Sequence, residues 1–327
     1  MNIEVLAKPG FCSGGLRPCS ASAVRWVAVS AWLAVLGASA APNPPAEFLP
    51  AASKWVLHVD ATTLRRTDLN LELLPLLASL PAPALGNNLQ TILSSDHARD
   101  VTSVTVCGSG GPQQGGVAYL RGRWNSEKIR AIAAGAAPPT SKRVGGHTVL
   151  SWPDPRFPPG TARHYACLVS TNLALLADRE LALSQSLEVL EGKEAPLAPT
   201  SRLGRLAQPR NRTFIRFAAI DGNSLASVDR TNGILRQVDT LWAGVGLTPS
   251  GLRLDATLKT LTPETAAQVQ QLLAGSQGVL LLRGLRDPDL ASVAQSLAIQ
   301  AEGKTVNVAL ALPLDVVKRL LVRYPVR

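Results

Sequence analysis

The sequence predicts an α+β fold of two similar halves, each a mainly antiparallel sheet with helices packed on one face. Three observations carry this prediction. Short apolar runs with strand periodicity alternate with helix-period segments and Gly- or Pro-rich turns along the chain. The composition, 46% hydrophobic and 17% charged over 327 residues, suffices for one large or two medium cores and is too apolar for a disordered polyelectrolyte. A short pattern also recurs. The apolar-Asp-x-x-hydroxyl-Leu order of "LHVDATTL" returns in "FAAIDGNSL", aligning Val59, Asp60, Thr63 and Leu64 with Ile220, Asp221, Ser224 and Leu225.

Taken in order, the chain first presents an export signal. Arg25 precedes "WVAVSAWLAVLG", and the small residues of "ASAAP" follow, the order of a signal peptide over residues 1–40 cut after Ala40. The protein is therefore expected to be exported, periplasmic or secreted. No Cys follows the apolar run, which disfavours a lipoprotein anchor. An uncleaved anchor is the alternative, although about a dozen apolar residues fall short of the roughly 20 needed to span a membrane. The long n-region allows a true start nearer Val24. Removing Lys8, Arg17 and Arg25 together with Glu4 takes the 33 cationic and 23 anionic residues to 30 and 22, so the net charge falls from +10 to +8. The basic residues are scattered, with no stripe of cations interleaved with stacking aromatics, which disfavours nucleic acid as a partner. Cys107 and Cys167 remain after export, either paired or as buried free thiols. The Asn-Arg-Thr at Asn211 matches a glycosylation acceptor, which matters only in a eukaryotic source, and a bacterial one is expected.

Residues 41–51, with "APNPPAEFLP", read as a Pro-rich linker. The first α+β repeat occupies 52–192. Its expected strands are "KWVLHVD", "VTSVTVCGS", "GGVAYLRGR", "GGHTVLSWP" and "HYACLVSTNLALLA"; its expected helices are "LRRTDLNLELLPLLASL", broken at Pro75, "NSEKIRAIAAG" and "RELALSQSLEVLEG". In the last of these Leu183, Leu187 and Leu190 form one apolar stripe facing the sheet. Residues 193–212 lack periodicity and carry Pro and Arg, so they read as a basic linker, and the second repeat runs from 213 to 327. There "TLTPETAAQV" matches "RWNSEKIRAI": Asn125 and Thr262 as N-caps, Trp124 and Leu261 as staples, Glu127 and Glu264 in the first turn. Likewise "GGHTV" and "EGKTV" each sit in an expected hairpin. The repeat also assigns Asp60. An Asp that ends a strand and opens a helix caps the first free N–H groups, a role both copies need without any substrate. His58 has Ala219 as its counterpart, so no symmetric His/Asp site is expected.

Signatures of chemistry are sparse. No H-E-x-x-H occurs, and His58, His97, His147 and His164 show no ligand spacing with one another or with the cysteines, so no metal and no cofactor are expected. "CGSGGPQQGG" lies between two strands and lacks the G-x-G-x-x-G order of a nucleotide fingerprint. "GKT" at Gly303–Thr305 has Ala298 where a phosphate loop needs Gly and a strand where it needs a helix, and "GSQG" around Ser276 falls inside a helix. Two features bear on binding. "SWPDPRFPPGTARH" reads as a rigid surface loop presenting Trp152 and Phe157. The helix "AAQVQQLLAGSQGVLLL" is apolar on more than one side near its end, expected to be buried between the halves or to line a groove for an apolar ligand.

The segments "LPAASKWVLHVDATTL", "GGVAYLRGRWNSEKIRAI", "GGHTVLSWPD" and "EVLEGK", covering most of residues 49–193, resemble a family of uncharacterised exported proteins of planctomycete-type bacteria. The resemblance implies export and a two-copy α+β build, and carries no assigned activity, cofactor or catalytic residue. The sequence therefore points to an exported non-catalytic protein that binds an envelope partner or an apolar ligand between its halves. Trp152, Phe157, His58 and His147 are the candidate contacts. The alternative is an exported hydrolase with a site assembled in space from His58, Asp60, His147 and His164.

Overall fold

The computed structural model describes residues 46–66, 100–110, 116–133, 138–154, 158, 160–208, 213–222 and 235–324. The expected signal peptide, residues 41–45 of the Pro-rich linker, most of the Pro75 helix, His97, Phe157 and Asn211 lie outside these residues. Among these described residues twelve strands form one antiparallel sheet. They are β1 Trp55–Val59, β2 Val101–Gly108, β3 Gly116–Gly122, β4 Thr140–Val144, β5 His147–Pro153, β6 Arg163–Ser170, β7 Leu173–Ala177, β8 Thr213–Ile220, β9 Val238–Thr248, β10 Gly251–Thr260, β11 Leu297–Glu302 and β12 Thr305–Leu312. Their order is β11-β12-β10-β9-β8-β1-β2-β3-β7-β6-β5-β4. Strands from the first part of the chain thus lie on one side of the β8–β1 pair, and strands from the second part on the other. At that pair His58 sits opposite Arg216 and Val59 opposite Ile215.

Among the described residues the α-helices are α1 Ala61–Arg65, α2 Ser126–Ala133, α3 Glu180–Leu190, α4 Arg202–Ala207, α5 Pro263–Gly284, α6 Pro288–Ser296 and α7 Leu314–Arg323. Local side chains start several of them. Asp60 accepts from the backbone N–H groups of Thr62 and Thr63, both at 3.0 Å, and from the Thr63 hydroxyl, so it caps α1 as its sequence position requires. Asn125 accepts from Lys128 N–H at 2.9 Å ahead of α2, and Thr262 from Thr265 N–H at 3.2 Å ahead of α5. The matched apolar neighbours part company, however. Trp124 is buried and donates its indole N–H to Leu120 O, whereas Leu261 is 53% exposed.

Strand alternation gives the sheet two faces. One carries Leu57, Val59, Val104, Val106, Leu120 and Leu176 under Leu64 of α1, Ile129 of α2, Val293 of α6 and Val317 and Leu320 of α7. The opposite face carries Val56, Cys107, Val117, Tyr119 and Leu175 under Leu183 and Leu187 of α3, Leu203 and Ala207 of α4, and Leu49. Helices on one face only is thus correct for the outer strands of the second part: Arg253, Lys259, Gln300 and Asn307 are exposed on their uncovered side. In the first part both faces are covered. The physical reason is apolar supply, because β2, β3 and β7 are buried along nearly their whole length and present apolar side chains both ways. Part of the cover comes from the stretch expected to be a linker. Leu197 N–H bonds Leu49 O at 2.7 Å, Ser201 caps α4 through Gly204 N–H at 3.0 Å, and Leu197 and Leu203 are buried.

Candidate functional site

The imidazoles expected to assemble a hydrolase site are dispersed. His58 and His147 lie on one face, five strand steps apart, about 24 Å at the usual spacing. His164 lies on the other face with Trp152, its cross-strand partner. Along the strands His147 is five residues from Trp152, about 17 Å. Each His has a local partner instead. The Nδ1 of His58 shares a hydrogen bond of 2.9 Å with the Thr105 hydroxyl. His147 Nε2 is 3.4 Å from a Glu191 carboxylate oxygen, and His164 Nε2 is 3.3 Å from Asp154 Oδ2 in a pair that is almost fully buried. Asp60 is occupied as a cap. Among the described residues no group of His, Cys, Asp and Glu could hold a metal ion.

Two candidate contacts need correction. Trp152 does not stand in a surface loop: it belongs to β5, is 2% exposed and lies 5.7 Å from the His164 ring between centroids. The prolines that suggested a loop begin after it, and strand alternation turns its indole into the core. His58 is likewise closed to a ligand, being 2% exposed on the face covered by α3, α4 and Leu49. His147 sits at the start of β5, partly exposed and facing Glu191. Cys107 and Cys167 are buried free thiols on β2 and β6, three strand steps or about 14 Å apart, twice the reach of a disulfide. Burial pushes both thiols up to about 12.

The central strands carry a buried polar row that the sequence did not reveal. Arg216 on β8, His58 on β1, Thr105 on β2 and Tyr119 on β3 are successive cross-strand neighbours, each 4% exposed or less. Among the described residues the Arg216 Nε and Nη1 groups and the His58 Nε2 atom have no hydrogen-bond partner. Burial lowers the Arg216 guanidinium to about 10, opposed by the charge of Asp60, and lowers His58 to about 3 with the help of Arg216 and Arg121. A cavity on this face, lined by Phe48, Leu49, Thr105, Tyr119, Arg121 and Leu173, measures about 10 Å³. That is room for about one water. Among the described residues the row is a polar seam inside the sheet, and the cavity beside it is water-sized.

Among the described residues, α5 groups several exposed large apolar side chains on one element. Its inward side is short of apolar cover: Thr265, Ala266 and Val269 are buried, Leu273 and Leu280 are partly buried, and Gln277 donates to Ala294 O at 2.7 Å and Leu297 O at 2.8 Å. The expectation that this helix lies between two halves is corrected by its position, over β10, β12 and the edge strand β11. Its outward side exposes Leu272 by 46%, Val279 by 39% and Leu282 by 69%, and Leu285 just beyond its end by 83%. No charged residue occurs between Glu264 and Arg283. Solvent-facing helices ordinarily carry charge on that side, so this run is the sequence signal that could have located the surface. Among the described residues no helix is long and apolar enough to cross a membrane.

No family model and no curated protein matches the chain. The fold is similar to that of TP0453, a Treponema protein, in two of its crystal forms, each with a TM-score of 0.50 and 9% identity. Form I is matched over 86% of this chain and 98% of that one, form IV over 86% and 96%. At this identity the likeness concerns the fold alone, an α+β arrangement around a large antiparallel sheet.

Proposed function

We propose that the protein is an exported, non-catalytic binding protein, built from two related halves, that engages a partner in the cell envelope through the outward side of α5. The observation that carries this reading is the uncharged, solvent-facing run of that helix with Leu272, Val279, Leu282 and Leu285 uncovered. Dispersal of His58, His147 and His164 over two faces supports binding over hydrolysis. Export rests on the n-region, apolar stretch and small-residue site of residues 1–40. The two-copy build is supported by strand order, since β1-β2-β3-β7-β6 and β8-β9-β10-β12-β11 run outward from the central pair in the same pattern, with a capped helix after the third strand of each. In that alignment the β11–β12 hairpin corresponds to β6–β7 and β4–β5 is an addition to the first half, so the "GGHTV" and "EGKTV" hairpins, matched by sequence, do not occupy equivalent places.

A photo-crosslinking residue placed at Leu282, in cells, tests the reading against one at Asn307 on the uncovered sheet face. Position 282 is expected to give a discrete crosslinked species and position 307 none. No adduct at 282, or an esterase or peptidase activity of the pure protein that His164→Gln abolishes, would overturn it.

A further inference from the structure

We infer that the partner on α5 is a second copy of this chain, bound through an antiparallel pairing of the two helices about Gly275. The inference rests on the binding reading above and deepens it.

The outward stripe of α5 runs through Glu264, Gln268, Leu272, Gly275, Val279, Leu282 and, just past the helix, Arg286, with successive spacings of three or four residues. Its middle is cut away. A side chain built at Gly275 or at Gly278 would meet nothing within 4 Å, so the helix surface there is a shallow hole flanked by Leu272 and Val279. Glycine inside an exposed helix is less favourable than alanine, and among the described residues nothing lies close enough to require it at either position. Close approach of a second backbone is what such a hole accommodates.

The ends of the stripe identify the second backbone. Glu264 stands at one end and Arg286 at the other, each eleven residues from Gly275. A two-fold axis at Gly275 that reverses the helix direction therefore sets Glu264 of each copy against Arg286 of the other. The same axis sets Leu272 over Gly278 of the second copy, a large side chain over a missing one, and Gln268 against Leu282. One pattern thus satisfies charge and shape together, as a self-complementary interface must. Antiparallel dipoles add to it. The approach is open because β11, below α5, is the last strand of the sheet. That edge carries neither Lys nor Pro in Leu297–Glu302, whereas the opposite edge β4 carries Lys142 and Arg143, the usual guards against pairing. A single helix pair about 33 Å long is a small interface, so the expected dissociation constant is on the order of 1–100 µM.

Sedimentation velocity of the purified protein between about 1 and 200 µM is the test, at a range that brackets this constant. The parent protein is expected to pass from monomer to dimer. Leu272→Glu and Gly278→Leu should each weaken dimerisation at least about 10-fold while leaving the circular dichroism unchanged, since Leu272 is exposed and a side chain at Gly278 meets nothing within 4 Å among the described residues. Glu264→Arg and Arg286→Glu should each weaken it, and the double exchange should restore it, which only this register predicts. A parent protein that stays monomeric throughout overturns the inference, as does a dimer indifferent to Leu272→Glu and Gly278→Leu or a double exchange that fails to restore pairing. If the monomer persists while position 282 still crosslinks to another protein in cells, the binding reading stands and self-pairing falls.

Discussion

His58 couples the stability of this protein to pH in a range above that of the carboxylates. Its ring is buried in the sheet, where desolvation, then Arg216 and Arg121, lower it from 6.5 to about 3. In the unfolded chain it takes up a proton near 6.5. Between these values the unfolded state holds one more proton than the folded state, so stability is present in full above pH 6.5 and is lost as pH falls toward 3. At about 1.4 kcal/mol per pH unit the loss approaches roughly 5 kcal/mol at the lower limit, and roughly 2.5 kcal/mol between pH 7.5 and 4.5. That is a large share of an ordinary domain's stability of about 5–15 kcal/mol. Urea unfolding at four pH values from 4.5 to 7.5, followed by Trp fluorescence, measures it. His58→Gln keeps a polar group near the Thr105 hydroxyl but cannot titrate, so the variant should lack this slope whatever its offset in stability. Carboxylates such as Asp287, held near 2 chiefly by Arg323, lose their stabilising charge at lower pH and act equally in both proteins. The same pH dependence in parent and variant would refute the reasoning.

Other perturbations follow from the same contacts. Asp60→Ala removes the acceptor of two backbone N–H groups and the Thr63 hydroxyl, and should cost about 1–2 kcal/mol in chemical denaturation. Asp289→Ala strips Arg319 of its paired hydrogen bonds at 2.7 and 3.0 Å between α6 and α7. Since that Arg is half exposed, a modest fall in melting temperature is expected in thermal melts. Cys107 and Cys167 should resist an aromatic disulfide reagent at pH 8 until denaturant is added, and prompt labelling of the native protein would contradict their burial.

What was legible in the sequence was mainly local. The Asp60, Asn125 and Thr262 caps, the Leu183 and Leu187 stripe of α3 and the Gly303 hairpin all depend on residues within a few positions of one another, and all stand where spacing placed them. What failed depends on remote parts of the chain. Nothing near His58 announces that α3, α4 and Leu49 cover it, and nothing near Arg216 announces that it will face His58. Trp152 was misplaced because four prolines nearby outweighed one residue of strand alternation. The exposure of helix α5 escapes the sequence for a subtler reason. Periodicity located an apolar helix but could not tell that its cover is one-sided, since that follows from its lying at the end of the sheet.

The pairing of β1 with β8 bears on how the molecule reaches its native state. Val59 registers with Ile215, some 150 residues later, and this contact occupies the middle of the sheet. Closing so long a loop is entropically costly and slow to repay. During synthesis β1 and β2 emerge well before the strand that completes their other side. The assembly of the middle therefore waits for the latter part of the polypeptide, and until then β1 presents an unpaired flank to chaperones and to other nascent chains.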